Sequence, residues 1–213
     1  MPQSVKVRAY LSPRRQERAA ATRRGILKAA RDLFTRQGYA ETTVAAVARR
    51  ARVSVDTIYA SVGRKPQLLL AVIDTVLGGG DDPLPAEQRD YVQEIRAAET
   101  AVAKIHVYAA ALGRLLPATA SLQEALRHAA QTDTDCAAVW RGLTERRAAN
   151  MLLFASDLRK TNAIRDDLTD DYVADVVWST NSVEYFLLLR QRGWTSEQYA
   201  RWLEDLWCRT LLA

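Results

Sequence analysis

The sequence predicts an all-α protein built from a small basic helical head and a larger helical body, and three observations point there. Nine Gly and six Pro are thinly spread over 213 residues, leaving long stretches rich in the helix formers Ala, Leu, Arg and Glu. Apolar residues recur at helical spacing, and strict period-two alternation is missing. The charge is divided: residues 1–65 hold 15 Lys/Arg against 4 Asp/Glu, a net +11, and residues 66–213 hold 15 against 21, a net −6. We therefore divide the chain into residues 1–65 and residues 66–213, with Gly78–Pro83 the clearest linker close by.

Residues 1–13 lack an apolar period and contain Pro2 and Pro13, which reads as a basic arm. The segment Arg14 to Gln37 aligns Ile26, Ala30 and Leu33 on one row and Leu27, Ala30 and Phe34 on the next. Gly38 is expected to end that helix in a left-handed conformation. Thr42-Thr43-Val44 supplies an N-cap for a second helix with Val44, Val47, Ala48 and Ala51 inside. Ser54 caps a third, Val55 to Ser61, with Ile58 and Val62 inward. Lys65-Pro66-Gln67 opens a fourth, where proline in the first turn is tolerated. The body is expected to hold helices near 87–98, 100–116, 118–131, 135–160, 169–192 and 196–212, with breaks at Pro117, Thr132–Thr134, Asn162–Asp167 and Gly193.

Two short helices joined by a tight turn, after a longer one, form a helix-turn-helix pattern. The outer face of the second is Val55, Asp56, Thr57, Tyr59 and Ala60, side chains short enough for close approach to base edges. Hydroxyls on Thr43, Ser54, Thr57, Tyr59 and Ser61 can donate to phosphate oxygens. Each could equally be a cap or turn residue in an ordinary bundle. The +11 charge over the same residues favours duplex DNA as partner.

At this point the chain resembles the TetR family of bacterial transcription regulators. The resemblance lies in ILKAARDLFTRQGYAETTVAAVARRARVSVDTIYASVGRKPQLLLAVID, residues 26–74, and in the last two predicted helices, residues 175–212. It implies an N-terminal helix-turn-helix DNA-binding head joined to a larger ligand-binding and dimerisation body, and a homodimer on a palindromic operator. It places Thr43, Ser54, Thr57, Tyr59 and Lys65 at phosphates, and Val55, Asp56 and Ala60 at bases. Two residues depart from the family pattern. Arg52 stands at the turn where Gly is common, and its charge could reach a phosphate. Val62 stands where a Phe usually plugs the head's core. Asp56 can accept from a cytosine amino group or serve as a helix-start charge.

The body helices carry apolar stripes interrupted by polar residues. Cys136, Trp140, Leu143, Met151, Phe154 and Leu158 run with Arg147 and Asn150 among them. Val173, Val176, Val177 and Leu188 run with Thr180, Asn181 and Glu184, and Val102, Ile105, Ala109, Leu112 and Leu116 lie beside His106. Polar groups on buried faces need partners, and effector pockets are built this way. His106, Trp140, Arg147, Asn150, Trp178, Asn181, Glu184 and Tyr185 are the pocket candidates, with a satisfied polar cluster or the dimer seam as the alternative for each.

The remaining composition narrows the class. An apolar fraction of 48% excludes wholesale disorder. Cys136 and Cys208 suit a reducing cytosol, and the scattered His and Cys residues argue against a structural zinc. No metal, cofactor or membrane partner is expected, and the expected location is the cytoplasm. No phosphate-binding glycine loop, dinucleotide fingerprint or hydrolase motif occurs, so an enzyme is not expected. The function expected is a ligand-responsive regulator, a repressor released by a small-molecule effector. The alternatives are a helical small-molecule carrier whose basic head docks an acidic protein or anionic membrane, and a non-specific nucleoid-type binder.

Overall fold

The computed structural model describes residues 13–213. The arm expected over residues 1–13 lies outside the described residues, apart from Pro13, which opens the first helix. Among the described residues the chain forms ten α-helices. They are α1 Pro13–Glu41, α2 Val44–Ala51, α3 Val55–Ser61, α4 Lys65–Gly78, α5 Asp90–Ala97, α6 Ala101–Ala129, α7 Thr134–Arg159, α8 Asp170–Thr180, α9 Val183–Gln191 and α10 Ser196–Leu211. A 3-10 turn, Ala86–Gln88, precedes α5. No helix here is long and apolar enough to cross a membrane.

Local chemistry sets the head's boundaries. Gly38 interrupts α1 at φ 79°, ψ 173°. This is the mirror-extended region that only glycine enters readily, not the left-handed helical well expected from the sequence. The Thr42 hydroxyl then donates back to the Gly38 carbonyl at 2.7 Å. Thr43 caps α2 by accepting from the Ala46 N–H, and Ser54 caps α3 by accepting from the Thr57 N–H, both at 3.1 Å. Between them Arg52 is left-handed (φ 58°, ψ 44°), which lets the Val53 N–H close the helix end on the Ala48 carbonyl at 3.0 Å.

The head's core extends beyond residue 65. Ile26, Phe34, Val47 and Ile58 are buried together with Leu68, Leu69 and Val72 of α4, Leu122 and Leu126 of α6, and Cys136 and Leu143 of α7. The charge boundary therefore falls inside a continuous apolar core, with α4 as the shared element. A second core joins α5 to α10 around Ile105, Tyr108, Phe154, Val177, Phe186, Tyr199, Leu203 and Trp207.

Tertiary packing overrides three expectations. Pro117 does not break α6, which is continuous for 29 residues. The helix is held along its length by α10, α5, α4, α1 and α9. Gly113, one turn before the proline, lets α10 come so close that a Cβ there would sit 3.0 Å from the Ala200 Cβ. Conversely, the single helix expected over 169–192 is two, split at Asn181-Ser182. The carbonyls freed at that break are claimed by buried Tyr199, whose Oη donates to Thr180 O at 2.5 Å, and by half-buried Arg147, whose Nη2 donates to Trp178 O at 2.9 Å. Val102 and Leu188, expected inside, are exposed.

Candidate nucleic-acid interface and body cavity

Helix α3 stands on the head with one face buried and the other free. Ile58 is fully buried, Val55 and Val62 are half-buried against the head's core, and Asp56, Tyr59 and Ala60 are exposed. Tyr59, although large and aromatic, is half exposed. Ser54 Oγ and Thr57 Oγ1 lie 2.8 Å apart at the start of the helix. Thr43 and Ser54 are exposed even while capping, and Ser61 is half-buried with its carbonyl accepting from the Arg23 guanidinium.

The cations around this face are not all free. Arg36 and Arg50 share Asp32, Arg24 reaches Asp82 at 3.2 Å, and Arg64 reaches Asp135 at 2.9 Å. Lys65 turns inward: its Nζ donates to the Ala40 carbonyl at 3.2 Å and lies 4.2 Å from the centre of the Tyr39 ring. Burial lowers the pKa of its ammonium. Arg49 and Arg52 are exposed and have no carboxylate partner among the described residues. The +11 of the sequence thus reduces to fewer available charges: Arg49 and Arg52 near the α2–α3 turn, and Arg14, Arg15, Arg18, Lys28 and Arg31 along α1.

The body holds a partly open cavity of about 610 Å³ between α4, α5, α6, α7 and the α8–α9 break. Its walls include Leu77, Tyr91, Leu112, Leu116, Phe154 and Met151. Tyr91 and Tyr108 stack at 6.3 Å, and Tyr108 meets Phe154 edge-on at 5.0 Å. At the base, Arg147 Nη2 donates to Asn181 Oδ1 at 2.6 Å, and Asn181 Nδ2 donates to Tyr108 Oη at 2.9 Å. Burial raises the pKa of the Tyr108 phenol and lowers that of the Arg147 guanidinium.

Of the eight pocket candidates, Arg147, Asn150 and Asn181 line this cavity. The other five sit elsewhere. His106 is on the surface with Nδ1 3.1 Å from Glu204. Trp140 is half-buried between the two cores. Trp178 lies under the Arg147 guanidinium at 5.3 Å, behind the wall. Glu184 is exposed, 3.9 Å from Arg127, and Tyr185 stacks on Trp202 at 5.2 Å. The stripe residues failed as guides because α8 and α9 do not share one helical phase across Asn181. The sequence reading missed Arg89, Tyr91, Tyr108 and Gln123 as cavity residues. Tyr108 and Gln123 were findable as polar residues on the buried row of α6, whereas nothing local marks Arg89.

Comparison with known proteins agrees with this arrangement. The model of bacterial regulatory proteins of the tetR family matches residues 26–72. The HTH-type transcriptional regulator HbdR of Aromatoleum sp. (strain CIB) is 37% identical over 65 residues, which is 30% of this chain and 28% of HbdR, so the match spans under a third of that relative's length. Among solved structures, a protein described as a candidate transcriptional regulator from Saccharomonospora viridis, in complex with choline, superposes with a TM-score of 0.69 at 17% identity, covering 91% of this chain and 99% of that one. The fatty acid degradation regulator FadR from Bacillus halodurans gives 0.65 at 16%, covering 87% and 94%. SmeT, repressor of the Stenotrophomonas maltophilia multidrug efflux pump SmeDEF, gives 0.62 at 15%, covering 92% of both chains. At such identities these structures establish the shared fold. Over residues 26–72, then, the chain is similar to the tetR family of bacterial regulatory proteins.

Proposed function

We propose that the protein is a ligand-responsive DNA-binding transcription regulator of the cytoplasm, a homodimeric repressor that leaves a palindromic operator when a small molecule fills the body cavity. The observation that carries this reading is the free face of α3, with Tyr59 half exposed, together with exposed Arg49 and Arg52, which have no carboxylate partner among the described residues. Thr43, Ser54, Thr57, Tyr59 and Ser61 are assigned to phosphates with Arg52, and Val55, Asp56 and Ala60 to bases. Lys65 joins them by releasing the Ala40 carbonyl. One short helix reads few base pairs, and two-fold pairing doubles the contact. Tyr172 and Leu188, the exposed large apolar side chains of α8 and α9, are assigned to the seam between copies.

Residues 1–65 act as the reading head and residues 66–213 as the sensing and pairing body, with α4 transmitting between them. Leu77 of α4 lines the cavity, and Leu69 and Val72 of the same helix bury the head's core. Leu143 of α7 belongs to both. A ligand that presses on Leu77 and Leu143 therefore biases the head's angle, and the head spacing that fits the operator is lost by population shift. Solved relatives of this fold include complexes with choline and with triclosan, which supports a ligand role for the cavity.

The test is a mobility-shift titration over salt with duplexes selected from a random pool. A sequence-preferring complex that weakens steeply with salt is expected. Equal binding to selected and scrambled duplexes, or no complex, refutes the reading. Tyr59→Ala should weaken both duplexes by a similar factor if the phenol holds a phosphate.

A further inference from the structure

The body is net acidic, yet its cavity is not. Five cationic side chains line the cavity, Arg89, Arg96, Arg146, Arg147 and Lys160, against two carboxylates, Glu87 and Asp157. Most of this charge is balanced locally. Arg89 and Arg146 converge on Asp74, at 3.4 and 2.7 Å. Asp157 receives the buried Lys104 at 2.7 Å, with Lys160 at 3.9 Å. Arg147 differs. Its Nη2 is used by two neutral acceptors, the Trp178 carbonyl and Asn181 Oδ1, and no carboxylate pairs with it among the described residues. Its Nε and Nη1 donate to nothing described, so three of its five N–H groups are unspent. A half-buried guanidinium with accessible, unspent N–H groups and no counter-charge is well matched by a bidentate oxyanion.

Resting on the regulator reading above, we propose that the cavity takes an amphipathic carboxylate, its anionic end held by Arg147 and its apolar body laid against Tyr91, Tyr108, Phe154 and Leu112. The volume, about 610 Å³, is in the range of small-molecule sites. Asn181 positions Arg147 by accepting from Nη2, and the Trp178 ring supports the guanidinium from behind.

Calorimetry on the full chain without DNA, near neutral pH, tests this with matched probes: decanoate and 4-phenylbutyrate, their amides, and decylamine and 4-phenylbutylamine. At least one carboxylate should bind one per chain, about tenfold or more tighter than its amide, with the amine weakest. Arg147→Gln should collapse that preference to about threefold or less while leaving the amide's affinity in place. The wild-type panel decides even if the variant fails to fold. An amide or amine that binds as tightly as its carboxylate, no carboxylate binding up to roughly millimolar concentration, or a carboxylate preference that survives Arg147→Gln in a folded variant overturns the proposal. The regulator reading fails separately: if a carboxylate binds as expected and the DNA complex is indifferent to it, the anion site stands and the effector role falls.

Discussion

Arg52→Gly separates two roles, one structural and one proposed, that fall on one residue at the α2–α3 turn. Arg52 is left-handed at φ 58°, ψ 44° and exposed, so the substitution removes no packing. A side chain in that well costs roughly 1–2 kcal/mol per residue. Glycine removes the clash but gives the unfolded chain about 0.5–1 kcal/mol of extra freedom. The balance is a gain on the order of 0.5–1 kcal/mol, and a chain of this size converts that into an unfolding temperature about 1–4 °C higher. Thermal unfolding followed by circular dichroism at 222 nm reads it. The DNA effect has the opposite sign. Losing one phosphate contact should lower the slope of log affinity against log salt by about 0.9, for selected and scrambled duplexes alike. A lower unfolding temperature would refute the strain argument, because the side chain would then make a contact worth more than the backbone penalty. An unchanged salt slope would refute the phosphate assignment while leaving the strain argument intact.

Pro117→Ala should raise the urea midpoint: it restores a backbone donor inside α6 and recovers part of a penalty of about 3 kcal/mol, less about 1 kcal/mol of unfolded-chain entropy. A lower midpoint would show that α6 needs its proline geometry to fit α10. Asn181→Leu strips partners from Arg147 and Tyr108 at once and should cost about 2–4 kcal/mol in urea unfolding; a loss near zero would mean that water substitutes for the amide. Stability should also fall in alkali. Burial raises the pKa of the Cys136 and Cys208 thiols and of the Tyr39, Tyr108 and Tyr199 phenols. The unfolded chain loses these protons first, at about 8.5 for thiols and about 10 for phenols. The contribution is therefore complete below about pH 8.5 and lost as pH climbs toward 11. An unfolding temperature flat across that window would contradict the burial of these groups.

The elements legible in the sequence are those set by neighbours in the chain. Thr43 and Ser54 as caps and the break at Arg52 follow from a few adjacent residues. Gly38 was legible as a break but not in its ψ, which depends on Thr42 folding back onto it. The body resisted where distant residues decide. Nothing around Pro117 says that α10 will brace the helix, and nothing around Asn181 says that Arg147 and Tyr199 will take up the carbonyls exposed by a break. The cavity was half legible for the same reason. Arg147 and Asn150 share the inner side of α7 with its apolar stripe, but Arg89 reaches the wall from the connection after α4 by holding the Leu84 carbonyl at 3.3 Å.

The charge of the head shows why counting arginines misleads and what the count conceals about switching. Two of its cations, Arg24 and Arg64, are paired with carboxylates beyond residue 65, Asp82 and Asp135. These pairs are exposed, and such bridges are worth about 0–1 kcal/mol each. They orient the head on the body without locking it. The stronger tie is the apolar core that Leu122, Leu126 and Leu143 share with α1 and α4, which resists separation but tolerates a small rotation better than the loss of any side chain. Turning a bound population into a released one, from 99:1 to 1:99, needs about 5.5 kcal/mol of differential affinity. Breaking both ion pairs consumes at most about 2 kcal/mol of that. An effector pairing with the half-buried Arg147 guanidinium and packing against the cavity's apolar walls in only one of the two arrangements can supply the rest. A body whose cavity lacked Arg147 would have to find more of that difference in apolar contact.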